Sequence, residues 1–204
     1  MNTPLAASVA LSYPVAVILG VMLEIPLLPL VILATLILVT VWGSLAITGR
    51  GVLAVILALG IAVLLLGGVA NWVLYALPVL IMGLLSLLFA RSLRARSTPL
   101  ITRYALAMGA SDTPAVHRYT RNLTVTWAVL CGALAIVSAW LALFASATTW
   151  ALFANGINYL LLAGLFLLEY PLRRWLLRDE PRNGFLAYLV ELARVDHHRM
   201  LRHP

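Results

Sequence analysis

Lysine is absent from this sequence, and all 14 basic residues are Arg. Charged residues of either sign make up only 10% of the chain, against about a quarter in an average soluble domain. So little charge excludes an ordinary water-soluble globule, because a domain of this length still leaves a large surface for water to wet. The single cysteine, Cys131, lies in an apolar run, so an internal disulfide framework is excluded. It is expected to serve as a small packing residue. Motif absences restrict chemistry further: there is no H-E-x-x-H, G-x-S-x-G, Walker loop or Gly-rich dinucleotide turn. The apolar segments hold too few ionisable groups to assemble a buried acid–base pair. No catalytic residue, cofactor or metal is therefore expected. The N-terminus lacks a positive n-region and a small-residue cleavage site, so the first apolar segment is expected to be retained.

What the chain has instead is hydrophobicity, at 63% of residues, with a formal net charge of +7. The Arg residues flank apolar runs, which suits the phosphate-rich inner face of a membrane better than nucleic acid. A helix needs roughly 20 apolar residues to cross the hydrocarbon core. Six segments qualify, at about 5–22, 27–47, 52–70, 73–90, 123–145 and 151–170. The expected fold is an all-α polytopic transmembrane bundle of about six spans, with a cytoplasmic amphipathic loop helix and tail helix. Residues 1–175 would form the bundle, including a cytoplasmic loop at 91–121, and residues 176–204 an amphipathic tail. Expected turns fall at Glu24 to Pro26, Gly49-Arg50-Gly51, Asn71-Trp72 and residues 146–150. Pro14 removes a backbone donor mid-segment, which leaves open a re-entrant piece plus one span across residues 5–47.

Orientation follows from Arg placement. With six spans, one set of turns holds no Arg, while Arg50, the 91–121 loop and the tail hold all 14. The N- and C-termini are therefore expected in the cytoplasm of a bacterium, with the protein in its inner membrane. Trp72 and Trp150 would mark the outer boundary, and Trp42, Trp127, Tyr170 and Trp175 the inner one. The small residues Gly132, Ala135, Ser138, Ala139, Ala142 and Ala145 recur along span five and would admit a neighbouring backbone. Pro14 and Pro78 occupy similar Tyr-Pro-Val and Leu-Pro-Val settings, which suits two kinked helices or an inverted repeat.

Chemistry concentrates at the Arg-rich rim. Thr98-Pro99 is a helix-start signal, with Thr as N-cap and Pro at the first helical position. Leu100, Ile101, Tyr104, Ala105 and Met108 then share one face, and Gly109 can stop the helix. Asp112-Thr113-Pro114 is a second start, leading through Tyr119 and Arg121 into span five. Arg pairs with phosphate in a two-pronged geometry, so Arg91, Arg103, Arg121 and Arg173 are candidate head-group ligands. Anchoring to anionic lipid is the competing reading. Glu169 precedes Arg173 by four residues on one helical face, which suits an edge ion pair or the orienting of a phosphate-binding Arg. Asn155 and Tyr159 share a face of span six, where an interhelical hydrogen bond is expected. His197, His198 and His203 lie in the tail, where 184–201 has the pattern of an amphipathic helix; adjacent His residues on a helix diverge too far to chelate together.

Arg91-Ser92-Leu93, Pro99-Leu100-Ile101-Thr102-Arg103, and Tyr119-Thr120-Arg121-Asn122-Leu123-Thr124 with Trp127 carry a resemblance. So do Trp150, Asn155, Tyr159, Glu169-Tyr170, Arg173 and Arg174. Over about residues 70–175 the chain resembles an uncharacterised family of bacterial predicted inner-membrane proteins. Members of that family accompany fatty-acid-synthase-like gene clusters that make aryl polyene (xanthomonadin-type) pigments. The resemblance implies a context of acyl or aryl-polyene lipid biosynthesis and points to Arg91, Ser92, Pro99, Arg103, Tyr119, Arg121, Glu169 and Arg173. The expected function is an inner-membrane accessory protein that binds a phosphate-bearing lipid or carrier-linked acyl intermediate at its cytoplasmic rim. Alternatives are a small lipid or pigment transporter or flippase, and a membrane acyltransferase. Expected partners are membrane lipid and an acyl carrier protein or other biosynthetic enzymes at the membrane, and not nucleic acid.

Overall fold

A computed structural model of the chain describes residues 3–25, 27–41, 47–67, 70–94 and 98–177. The expected tail helix and its His residues lie outside them. Every regular element among the described residues is helical, and the fold is an all-α bundle. Helices α1 (Thr3–Met22), α2 (Leu27–Val41), α3 (Ile47–Leu66) and α4 (Ala70–Ser92) are followed by the short α5 (Leu100–Ala107). Then come α6 (Pro114–Phe144), α7 (Ala147–Leu152), a π turn (Phe153–Ile157) and α8 (Asn158–Leu176).

The segments Gly49–Leu66, Trp72–Ser92, Pro114–Phe144 and Ala147–Leu176 are long and apolar enough to cross a membrane. Ser12–Met22 and Leu27–Val41 are shorter apolar helices. Along α3 the exposed side chains include Val52, Val55, Ile56, Leu59, Val63, Leu65 and Leu66. In water such a continuous apolar face would be an aggregation site; facing lipid it is the ordinary outer surface of a span.

Three of the expected turns differ from expectation. Asn71 and Trp72 are not a turn but lie in the first turn of α4. Gly49-Arg50-Gly51 is the opening of α3 and not a turn. Glycine is a poor helix former only as a weak prior, and a hydrocarbon surrounding rewards every backbone bond a helix closes. The turn expected over 146–150 is confined to Ala145 and Ser146. Ser146 Oγ accepts from Thr149 N at 3.2 Å and so caps α7, drawing Thr148, Thr149 and Trp150 into helix.

The described residues fall into two compact units, one within residues 1–80 and 136–160, the other within 81–135 and 161–204. In the first, α1 ends in a six-residue closure. Ile25 N donates to Gly20 O at 2.7 Å and Glu24 N to Val21 O at 3.3 Å. This is the Schellman arrangement, with Glu24 at φ 57° in the left-handed position that glycine usually takes. Gly20 is required for another reason: a Cβ there would meet Pro29 Cδ at 2.7 Å and Ile25 O at 3.0 Å. The α1–α2 contact thus depends on a missing side chain. Tyr13, Val17, Trp150, Ala151 and Ala154 form this unit's core, flanked by Ile32 and Leu33 of α2, Tyr75 of α4 and Leu141 of α6. Trp150, expected at a membrane boundary, is fully buried, with its ring 4.5 Å from that of Tyr75.

Gly20→Ala should lower the thermal unfolding midpoint of the purified protein, because the rigid Pro29 ring cannot rotate away. Overpacking of this kind costs about 1–3 kcal/mol. A midpoint at or above that of the parent would show that α1 and α2 can separate without penalty.

Candidate functional site

The second unit places most of the residues that the sequence singled out. The end of α4 and the start of α5 are clasped by Ser92, which is buried. Its hydroxyl donates to Phe89 O at 2.7 Å and accepts from Leu100 N at 3.1 Å. The side-chain cap expected from Thr98 is absent: Pro99 occupies the N-cap position, and the first N–H of α5 is satisfied from across the loop by Ser92. Arg103 also turns back on the loop, with Nε donating to Thr98 O at 2.8 Å.

α5 and α6 meet through two buried hydroxyls, Thr102 and Thr120, 2.7 Å apart. Thr120 also lies 2.8 Å from Val116 O, and Thr124 donates to Thr120 O at 2.7 Å. The helix carrying them opens at the expected Asp112-Thr113-Pro114 start: Thr113 Oγ1 accepts from Val116 N at 3.3 Å, and Pro114 is the first residue of α6. Where α4 and α6 meet, Ser86 Oγ donates to Ala128 O at 2.8 Å, and a Cβ at Gly132 would come within 3.0 Å of that same oxygen. The Phe89 and Trp127 rings stack at 5.9 Å.

These contacts frame a cavity of about 270 Å³. Its walls are mainly apolar, including Phe89, Leu100, Ile101, Leu123, Trp127 and Phe166. Among the described lining residues only Glu169 and Arg173 are charged, and they lie one turn apart on α8. Glu169 is buried, whereas Arg173 is half-exposed. Tyr119 reaches Glu169 with a loose pair of contacts, 3.4 Å to its carbonyl and 3.5 Å to Oε1. These are long for O–H donors. Tyr104 also lines the cavity, and burial raises its phenol above the usual range, keeping it a neutral hydroxyl.

Of the candidate residues, then, Tyr119, Glu169 and Arg173 come together on one cavity. Arg91, Ser92, Arg103 and Arg121 are not among its lining residues. Arg91 and Arg121 are exposed on α4 and α6, as suits cations that touch lipid phosphate. Arg174 lies over the Tyr170 ring, 5.7 Å from its centroid. Sequence reasoning passed over the Thr102–Thr120 clasp. Its signal was a hydroxyl residue on the inner face of each predicted helix, set among apolar neighbours. Among the described residues no group of three His, Cys, Asp or Glu could hold a metal ion.

Ser92→Ala should destabilise the protein by about 0.5–2 kcal/mol, the usual loss on removing a cap, because Leu100 N–H then stays buried without an acceptor. Thermal unfolding gives the loss, and faster hydrogen exchange at the Leu100 amide would localise it to the start of α5. No family model, curated protein or solved structure matches the chain.

Proposed function

We propose that this protein is an accessory protein of acyl or aryl-polyene lipid assembly that holds an amphiphilic intermediate in the cavity lined by α5, α6 and α8. The observation that carries the reading is the pairing of an apolar chamber with one adjacent cation and anion, Arg173 and Glu169. Apolar walls suit an acyl or aryl chain. Arg173 suits the phosphate of a lipid head group or of a carrier-linked intermediate, with Glu169 orienting the guanidinium and Tyr119 offering a hydroxyl. A volume near 270 Å³ falls just below the usual range of ligand cavities, about 300 to 1,000 Å³. One medium-length chain fits better than a whole diacyl lipid. Arg91, Arg103 and Arg121 supply the surrounding positive field that draws such a ligand, and an acyl carrier protein, to the rim.

In this proposal the protein resides in the bacterial inner membrane with six spans and both termini in the cytoplasm. The support is the one-sided distribution of Arg. Reporter domains fused after residue 94 and at the C-terminus should be active in the cytoplasm, and one inserted between Ala145 and Ser146 should be active outside it. Any reversal of this pattern would overturn the orientation.

Binding is tested with the full-length protein in nanodiscs, using decyl phosphate and decanol as probes. Arg173→Ala should weaken decyl phosphate at least tenfold, since a hydrogen bond to a charged group contributes about 1.5–3 kcal/mol and 1.4 kcal/mol is a factor of ten. Decanol should be little affected. Ala105→Phe, which fills the chamber, should weaken both. Equal loss of both probes in Arg173→Ala, or no loss in either variant, would rule out the site.

A further inference from the structure

The first unit contains a separate polar constellation, none of whose residues lines the cavity described above. Trp150 and Asn158 are fully buried, and Asn155 and Tyr13 are 4% and 7% exposed. Tyr13 and Trp150 belong to one core cluster with Ala151 and Ala154. Asn155 follows Ala154 directly within the π turn, and Asn158 begins α8.

Two of these side chains are partly satisfied. Asn158 Nδ2 donates to Ser138 Oγ at 3.1 Å, and Asn155 Nδ2 makes a long contact with Ala151 O at 3.4 Å. Four atoms have no partner: Tyr13 Oη, Trp150 Nε1, Asn155 Oδ1 and Asn158 Oδ1. Turning either amide over exchanges its two ends and still leaves one end unpaired. A buried polar atom without a partner is costly, and native structures hold few of them. Four beside one π turn, a rare element frequent at functional sites, therefore call for an occupant.

The occupant's chemistry follows from what the four atoms offer. Trp150 can only donate, the two amide oxygens accept, and the Tyr13 hydroxyl does either. A ligand must then both donate and accept. No charged side chain is among the described buried residues of this unit, so an ion would be uncompensated there. We propose that Tyr13, Trp150, Asn155 and Asn158 form an internal binding site for a small neutral hydroxyl group, either water or the hydroxyl of a bound amphiphile. Water has the matching capacity to donate and accept, and buried waters commonly make about three hydrogen bonds to such groups.

The test uses full-length protein in phosphatidylcholine nanodiscs and reads two sources separately. Under X-ray hydroxyl-radical footprinting, a resident water generates radicals beside its neighbours. Tyr13 and Trp150 should then be modified several-fold faster than Trp140, which lies exposed on the apolar face of α6. If the hydroxyl comes from an amphiphile, native mass spectrometry should show a hydroxyl-bearing lipid retained by the parent and lost from Asn158→Leu. Slow labelling together with no retained lipid overturns the proposal. Tyr13→Phe keeps the test decisive should Asn158→Leu fail to fold. With an occupied site, losing this hydroxyl lowers the thermal midpoint by roughly 2–4 °C. In a dry site it removes an unpaired group, and an unchanged or raised midpoint would count against any occupant.

Discussion

The structure depends on one requirement: a polar group placed inside an apolar bundle must find a hydrogen-bond partner within the protein. Hydrocarbon offers none, so the backbone is driven into helix, and side-chain hydroxyls fall back on nearby carbonyls. Thr35, Thr40, Thr124 and Thr126 each bond a carbonyl three or four residues earlier on their own helix. Ser86 and Ser92 carry the same rule between elements, tying α4 to α6 and to α5. Against that background of satisfied groups, the unpaired atoms around the π turn stand apart.

The two units use polarity in different ways. In the second, the Thr102 and Thr120 hydroxyls tie helices together, and Glu169, Arg173 and Tyr119 line an apolar chamber. A charged pair can respond to a charged ligand. In the first, neutral amide, indole and phenol groups are enclosed in an aromatic core, a setting that discriminates by hydrogen-bond geometry alone. Under the two proposals, charge would select in one unit and hydrogen-bond geometry in the other.

Much of the architecture was legible from hydropathy, because lipid imposes the same demand on every span whatever its partners. Helix ends were less legible. Gly49-Arg50-Gly51 looks like a turn to local propensity, yet it opens α3; Trp150 looks like an interfacial ring, yet it is a core residue. In both cases the surroundings outweigh local preference. The site was partly legible, since the four-residue spacing of Glu169 and Arg173 fixes a shared face without any tertiary knowledge. The roles of Arg91, Arg103 and Arg121 were not legible. Spans that are apolar all round give no periodic sign of which face is buried, so the direction of a terminal Arg cannot be read from them. Ser92, expected as a possible head-group ligand, illustrates the same gap: only the fold shows its hydroxyl donating to one backbone carbonyl and accepting from a backbone N–H.

The turn between α1 and α2 has a consequence for biogenesis. Its closing bonds join residues no more than five apart, Gly20 with Ile25 and Val21 with Glu24, and α2 returns directly against α1 through Gly20 and Pro29. Contacts so local form quickly, and the N-terminal part of a chain emerges first. The pair can therefore enter the bilayer as one hairpin, presenting a preassembled wall before Trp150 is synthesised. The ribosome's order of delivery and the order of core assembly then coincide, with Tyr13 and Val17 waiting for the indole that completes their cluster.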